Sequence, residues 1–181
     1  LDIAQSAGVI PLNLQDVSPH FMIGSSVKWL CGGPGAAYLW VNPDITEQCQ
    51  PKDVGWFSHE NPFEFDIHHF NYNQSAMKFW GGTPSITPFA IASHSINYFA
   101  TLGTREEKGT SYTRVHNQSM IDLIVDEFDT EIVSPVNKET RSGTVILDFK
   151  DKQAAIMNAL RHAKISVDAR HLGMRVSAHI Y

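Results

Sequence analysis

The segment Gly24-Ser25-Ser26-Val27-Lys28-Trp29-Leu30-Cys31-Gly32-Gly33-Pro34-Gly35 sets one lysine between two serines and a glycine-rich turn. Ahead of it, the mostly apolar run from His20 to Ser25 predicts a short buried strand. The small residues that follow let the backbone come close to a ligand. Lys28 thus falls at the end of a strand, where open α/β sheets place their sites, so an α/β fold is expected. Partial desolvation by Trp29 and Leu30 would lower the lysine's pKa and free a nucleophilic amine. A solvated loop lysine fits the same spacing, and the residues alone leave both possibilities open.

Composition narrows the classes. A chain of 181 residues, 43% hydrophobic and 18% charged, can bury a sizeable core and is not expected to be disordered. Nineteen acids against fourteen bases give a net charge of -5, with no basic run, so no nucleic-acid partner is expected. No apolar run approaches the ~18 residues a membrane span requires, and no signal peptide is visible. Cys31 and Cys49 match no zinc spacing and suit a reducing cytosol. His68 and His69 adjoin and would point apart on a strand, and H-E-x-x-H is absent from the sequence, so no metal is expected.

Asp2 suits a helix cap or a solvated turn as well as a site. Trp56-Phe57, between Pro51 and Pro62, reads as a loop plug or a ligand contact, and His59 as a satisfied loop histidine or a substrate-facing group. Gly82-Thr83-Pro84-Ser85 opens an apolar run from Ile86 to Phe99. Thr83 is the expected helix N-cap and Pro84 the first helical residue. The free N–H groups of that N-terminus could hold a phosphate.

Taken in order, Asp2 to Gly8, Val27-Lys28-Trp29-Leu30 with Gly32 to Gly35, Gly55-Trp56-Phe57-Ser58-His59, Gly82-Thr83-Pro84 and a strand around Arg175 resemble the motifs of pyridoxal-phosphate (PLP) enzymes of the aminotransferase class V superfamily. The lysine-W/Y-L-x-G-G-P-G segment followed by G-W-F-x-H is most similar to kynureninase-like chains. The resemblance implies a fold-type-I transferase: an α/β large domain with a small α+β C-terminal domain. Lys28 would carry the Schiff base, and Asp2 would keep the pyridine nitrogen protonated, which makes the ring an electron sink. Gln5 would face the phenolic oxygen, Trp56 would contact the cofactor or its phosphate, and Arg175 would clamp the substrate carboxylate through its planar guanidinium. Thr83 would reach the phosphate in a neighbouring subunit, which implies a homodimer with a shared site.

Two residues depart from the kynureninase pattern. Gln5 resembles the glutamine of class V aminotransferases and cysteine desulfurases, where kynureninases usually carry histidine, and Val27 stands where kynureninases carry the tyrosine that reaches the phosphate. Valine has no side-chain donor, which leaves Ser25 and Ser26 as phosphate donors.

The expected organisation is residues 1–103 as the later part of the large domain, 104–128 as a connecting helix and 129–181 as the small domain. The helix would turn Val115, Met120, Leu123, Ile124 and Phe128 to one face. Strands are expected at Glu131–Ser134, Thr144–Phe149, Ile165–Ala169 and Met174–Tyr181, with a helix at Asp151–Ala163. Arg141-Ser142-Gly143 resembles the lead-in to a small-domain strand, or is a turn with glycine at positive φ. Because class V enzymes are longer and hold a phosphate loop in their first half, the chain is expected to be a C-terminal portion. The function expected is a cytoplasmic PLP enzyme acting on an amino acid, with kynureninase-like β-carbon–carbon hydrolysis preferred. The alternatives are transamination, desulfuration or other lyase chemistry, epimerisation, or a catalytically incompetent chain with an assembly role.

Overall fold

The computed structural model describes residues 1–102, 112–128 and 130–181. The chain divides into two compact units, Leu1–Ala7 with Leu12–Tyr98, and Gly8–Pro11 with Phe99–Tyr181.

In the first unit a single turn of helix, α1 (Leu14–Val17), precedes β1 (Phe21–Ser25). β1 pairs antiparallel with β2 (Ala37–Val41), in a register that sets Phe21 opposite Val41 and Ser25 opposite Ala37. Met22 and Gly24 face inward while Phe21 and Ile23 are exposed, so β1 is covered on one face and is not the buried strand expected. The N-terminal residues run along its other edge. Ile3 donates to the Ile23 carbonyl and Ile23 to that of Leu1, with Asp2 and Ile23 forming a parallel bridge. Asn42 caps α2 (Pro43–Thr46) through its side chain. The buried Lys78 donates to the carbonyls of Thr46 (2.8 Å) and Cys49 (3.3 Å), at and just beyond the end of α2. Among the buried apolar residues here are Ile3, Met22, Trp29, Val41 and Ala92.

The next helix, α3, spans Ile86–Thr101. It starts later than expected: Thr83 is not its N-cap, and Pro84 is not its first residue. The proline in its first turn is Pro88, where the absent N–H costs no internal hydrogen bond. His68 and His69 lie in and just after a turn, not on a strand.

The second unit holds α4 (Tyr112–Glu127), α5 (Gln153–His162) and four antiparallel strands in the order β3-β4-β6-β5: β3 Glu131–Ile132, β4 Val145–Asp148, β5 Asp168–Arg170 and β6 Gly173–Val176. Ile121, Val145, Leu147, Phe149 and Met174 form its core, with Ile156, Met157 and Leu160 of α5 packed against them. The strands are shorter than expected, and Ser177–Tyr181 is not strand. A 3-10 turn at Lys150–Lys152 leads into α5, and no side chain caps that helix, Asp151 included.

The face expected for α4 is only partly the buried one. Ile124 packs against the core and Met120 is half-buried, but Val115, Leu123 and Phe128 are exposed, whereas Thr113, Arg114, Asn117, Gln118 and Ile121 are buried. Arg114, Asn117 and Gln118 face inward because each finds a partner in the loops around residues 138–143 and 178. The expected helical residues 104–111 lie outside the described residues.

Candidate active site

Lys28 sits on a turn that is pinned from several sides. Ser26 is buried, and both its backbone N–H (3.0 Å) and its hydroxyl (3.1 Å) donate to the Ala36 carbonyl. Gly32 N–H donates to the Ser26 carbonyl (2.7 Å), Cys31 N–H to that of Lys28 (2.8 Å), and the Ser95 hydroxyl of α3 to that of Leu30. A Cβ on Gly32 would lie 2.6 Å from the Ser26 side chain and 3.1 Å from Ala92 Cα, so only glycine lets the turn close against α3. Trp29 is buried while Lys28 is exposed, so the desolvation expected of Trp29 and Leu30 is not supplied by this chain. Among the described residues the Lys28 amine has no hydrogen bond or ion pair.

The two serines differ. Ser26 spends its hydroxyl proton inside the turn, whereas the half-buried Ser25 accepts from Val27 N–H (3.3 Å) and keeps its own proton available. Asp2 is exposed beside β1, and its Oδ1 accepts from Ala4 N–H (2.9 Å), the cap role open to it. Among the described residues its other oxygen has no partner. Gln5 is exposed on the turn that follows.

Trp56 and Thr83 lie on two loops joined through their backbones. Gly55 precedes the 3-10 turn Trp56–Ser58, and a Cβ there would lie 1.8 Å from the Gly81 carbonyl oxygen. The fully buried Ser58 hydroxyl accepts from Gly55 N–H (3.0 Å) and donates to the Trp80 carbonyl (3.1 Å). Trp80 Nε1 donates to the Gly82 carbonyl (2.6 Å). Thr83 is exposed, and so is Trp56, at 62%; the tryptophan is no core plug and meets Phe65 edge to face. Ser58 and Trp80 are the residues that sequence reasoning missed, since a serine's two long-range bonds leave no local pattern.

His59 is not the satisfied loop histidine expected. Its Nδ1 accepts from Asn61 N–H (2.9 Å), but its buried Nε2 has no partner among the described residues. It lines a cleft of about 320 Å³ with Trp56, Phe65 and Phe70.

In the second unit, Arg175 lies on β6 opposite Ile146 and Asp168. Its Nε is 3.9 Å from an Asp168 oxygen, too far for a hydrogen bond, and Arg170 holds that same oxygen at 2.5 Å. The guanidinium is thus only weakly committed and is 40% exposed.

Arg141 does more than lead into β4, and Gly143 has no positive φ. The buried Arg141 donates to Gln118 Oε1 (2.6 Å) and Asp122 Oδ1 (2.9 Å), and its carbonyl accepts from Arg114. Asn117 donates to the Gly143 and Ala178 carbonyls. Burial pushes the Asp122 carboxyl up, but hydrogen bonds from Lys138 and Arg141 outweigh it and hold the group below its ordinary 3.8. Burial, aided by the nearby Arg141 charge, lowers the Arg114 pKa.

Among the described residues no cluster of His, Cys, Asp or Glu could hold a metal, and no helix is long and apolar enough to cross a membrane. The aminotransferase class-V family profile matches residues 1–180, and the chain belongs to that family of PLP-dependent enzymes. It is 29% identical over 147 residues to the kynureninase of Deinococcus radiodurans, covering 80% of this chain and 35% of the relative. The cysteine desulfurase of Thermococcus onnurineus NA1 superposes over 99% of this chain and 47% of its own with a TM-score of 0.80 at 19% identity. A cystine C-S lyase variant with glycine covalently linked to its PLP cofactor superposes over 97% of this chain and 45% of its own, with a TM-score of 0.76 at 17% identity. The fold is therefore that of a fold-type-I PLP-dependent enzyme, and the chain spans about a third to a half of the length of these proteins.

Proposed function

We propose that the protein binds PLP through Lys28 and acts on an amino acid by kynureninase-like hydrolysis of a β-carbon–carbon bond. The observation that carries this reading is an exposed, unpartnered Lys28 held on a turn that Ser26, Gly32 and Ser95 fix in place, in a chain of this family. The donor set fits the cofactor: an amine able to bond covalently, a Ser25 hydroxyl with a proton to give and an Asp2 carboxylate oxygen without a partner. Bound PLP supplies an electron sink for the carbanion formed at a substrate carbon. Lys28 holds the cofactor and then carries the α-proton as base and acid. Asp2 keeps positive charge at the ring nitrogen, and Gln5 faces the phenolic oxygen. Trp56 offers its exposed indole to the cofactor, and Ser25 and Thr83 donate to the phosphate, Thr83 across a homodimer. Ser26 contributes by fixing the turn. Arg175, with a weakly committed guanidinium, binds the substrate carboxylate. Residues 1–103 act as the later part of the cofactor domain, 129–181 as the small domain, and Cys31 and Cys49, which form no disulfide, suit a cytoplasmic setting.

Gln5 favours a second reading, transamination or desulfuration, because the resemblance at that position is to aminotransferases and desulfurases. Products separate the two readings. With kynurenine, the first predicts alanine and an aromatic carboxylic acid in equal amounts. Release of sulfur from cysteine, or of a keto acid, without that pair of products establishes the second. No turnover of any amino acid by PLP-treated protein supports an assembly role instead.

A further inference from the structure

Two guanidiniums face one carboxylate oxygen on the side of the β3-β4-β6-β5 sheet turned away from its core. Arg175 of β6 stands directly opposite Asp168 of β5, and Arg170, two residues along β5, shares the face of Asp168. Met174 and Leu147 point the other way, into the core. Asp168 Oδ2 accepts from Arg170 at 2.5 Å and has Arg175 Nε at 3.9 Å, beyond hydrogen-bond reach. That Nε is a buried donor with no acceptor among the described residues. A buried N–H without an acceptor is costly, and the carboxylate oxygen it faces is the one that Arg170 holds. Without Arg170, a short side-chain movement gives Asp168 to Arg175. An internal carboxylate would then lie on the guanidinium that an incoming carboxylate needs.

We infer that Arg170 is a positioning residue: by holding Asp168 it keeps the Arg175 guanidinium open for a carboxylate from outside the chain. Charge acts in the same direction. Two cations and one anion leave the cluster positive, whereas loss of Arg170 makes it neutral and removes its attraction for an anion. Asp168 is on this account a competitor held in check, not the group that orients Arg175. The inference rests on the proposed function in one respect, that the carboxylate Arg175 receives is the amino-acid substrate's. Arg170 and Asp168 are both about half exposed, which limits the effect on affinity to about fivefold.

The test uses the protein labelled with 15N at arginine, with the Arg175 Nε–H resonance assigned through Arg175→Lys. In Arg170→Ala that resonance should move as Asp168 accepts from it, and adding Asp168→Ala should bring it back towards its wild-type position. In PLP-treated protein the apparent constant for kynurenine should rise about fivefold in Arg170→Ala while that for its decarboxylated amine holds, and adding Asp168→Ala should restore it. A merely structural Arg170 would weaken both ligands and gain nothing from Asp168→Ala. A resonance that stays put in Arg170→Ala, or a loss that Asp168→Ala does not repair, overturns the inference. Should Arg170→Ala misfold, Asp168→Ala alone decides: kynurenine binding that holds or tightens is expected of a competitor, and binding that weakens shows that Asp168 orients Arg175 instead. Arg175→Lys keeps the two claims apart. Kynurenine that does not bind, or binds equally well in Arg175→Lys, refutes the carboxylate role in the proposed function and leaves Arg170 to be judged by the resonance. Affinity that falls in Arg175→Lys, with the resonance unmoved in Arg170→Ala, refutes only the role of Arg170.

Discussion

Replacing Ser58 with alanine tests how the two loops carrying Trp56 and Thr83 are held together. The Ser58 hydroxyl is fully buried, accepts from Gly55 N–H and donates to the Trp80 carbonyl, so its removal strands one donor and one acceptor. Each buried group left unpaired costs about 1–3 kcal/mol. Gly55 is only half-buried and recovers part of its loss through water, which puts the sum near 2–3 kcal/mol, at the low end for two groups. The missing oxygen leaves a void of less than a methyl group and adds little. All four tryptophans, Trp29, Trp40, Trp56 and Trp80, lie in the first unit, so urea unfolding followed by tryptophan fluorescence reports that unit alone. The midpoint should fall with the slope unchanged, and the Gly55 amide should lose its protection from hydrogen exchange while Gly32 in the lysine turn keeps its own. A loss under about 0.5 kcal/mol with Gly55 still protected would refute the reasoning, since a surface-like serine costs no more than that.

Gly55→Ala should be worse than Ser58→Ala in the same unfolding assay, by roughly 1 kcal/mol or more, because its Cβ meets the Gly81 backbone with no flexible side chain to yield. The pH dependence follows from Asp122, whose pKa is depressed in the folded state. Its contribution to stability is complete above the ordinary 3.8 and is lost as the pH falls through the lower folded value. Protection of the α4 amides from exchange, corrected for the intrinsic rate at each pH, should therefore fall more steeply from pH 5 downward in wild type than in Asp122→Asn. Arg175→Lys keeps the charge but loses the planar fork, so the apparent substrate constant should rise tenfold or more with the cofactor spectrum unchanged; equal weakening of the substrate and its decarboxylated amine would show that β6 is only structural.

Local chemistry made the lysine turn legible in the sequence. Ser25 to Gly35 needs no distant partner to be recognised as a turn, and the glycine that cradles Ser26 is spelled out in the chain. The start of α3 was not legible, because the Thr83-Pro84 signal is overridden from outside: the Gly55–Gly81 contact and the Trp80 bond to Gly82 hold the chain out of the helix until Ile86. Periodicity misplaced the buried face of α4 for a related reason. Arg114, Asn117 and Gln118 are polar by composition, and only their bonds to carbonyls 24 to 61 residues away make it favourable to bury them. His59 was readable as a residue type but not as an unpaired donor, since that depends on which of its nitrogens Asn61 occupies.

The central claim is that Lys28 is the residue that holds PLP, and reductive trapping tests it most directly. The protein is incubated with PLP, reduced with borohydride, digested and analysed by mass spectrometry. The account predicts one phosphopyridoxyl group on the peptide containing Lys28, and none anywhere after Lys28→Ala. The buried Lys78 stays unmodified because its amine is spent on Thr46 and Cys49. A trapped adduct that survives in Lys28→Ala, or wild-type protein that is never modified at Lys28, would contradict it.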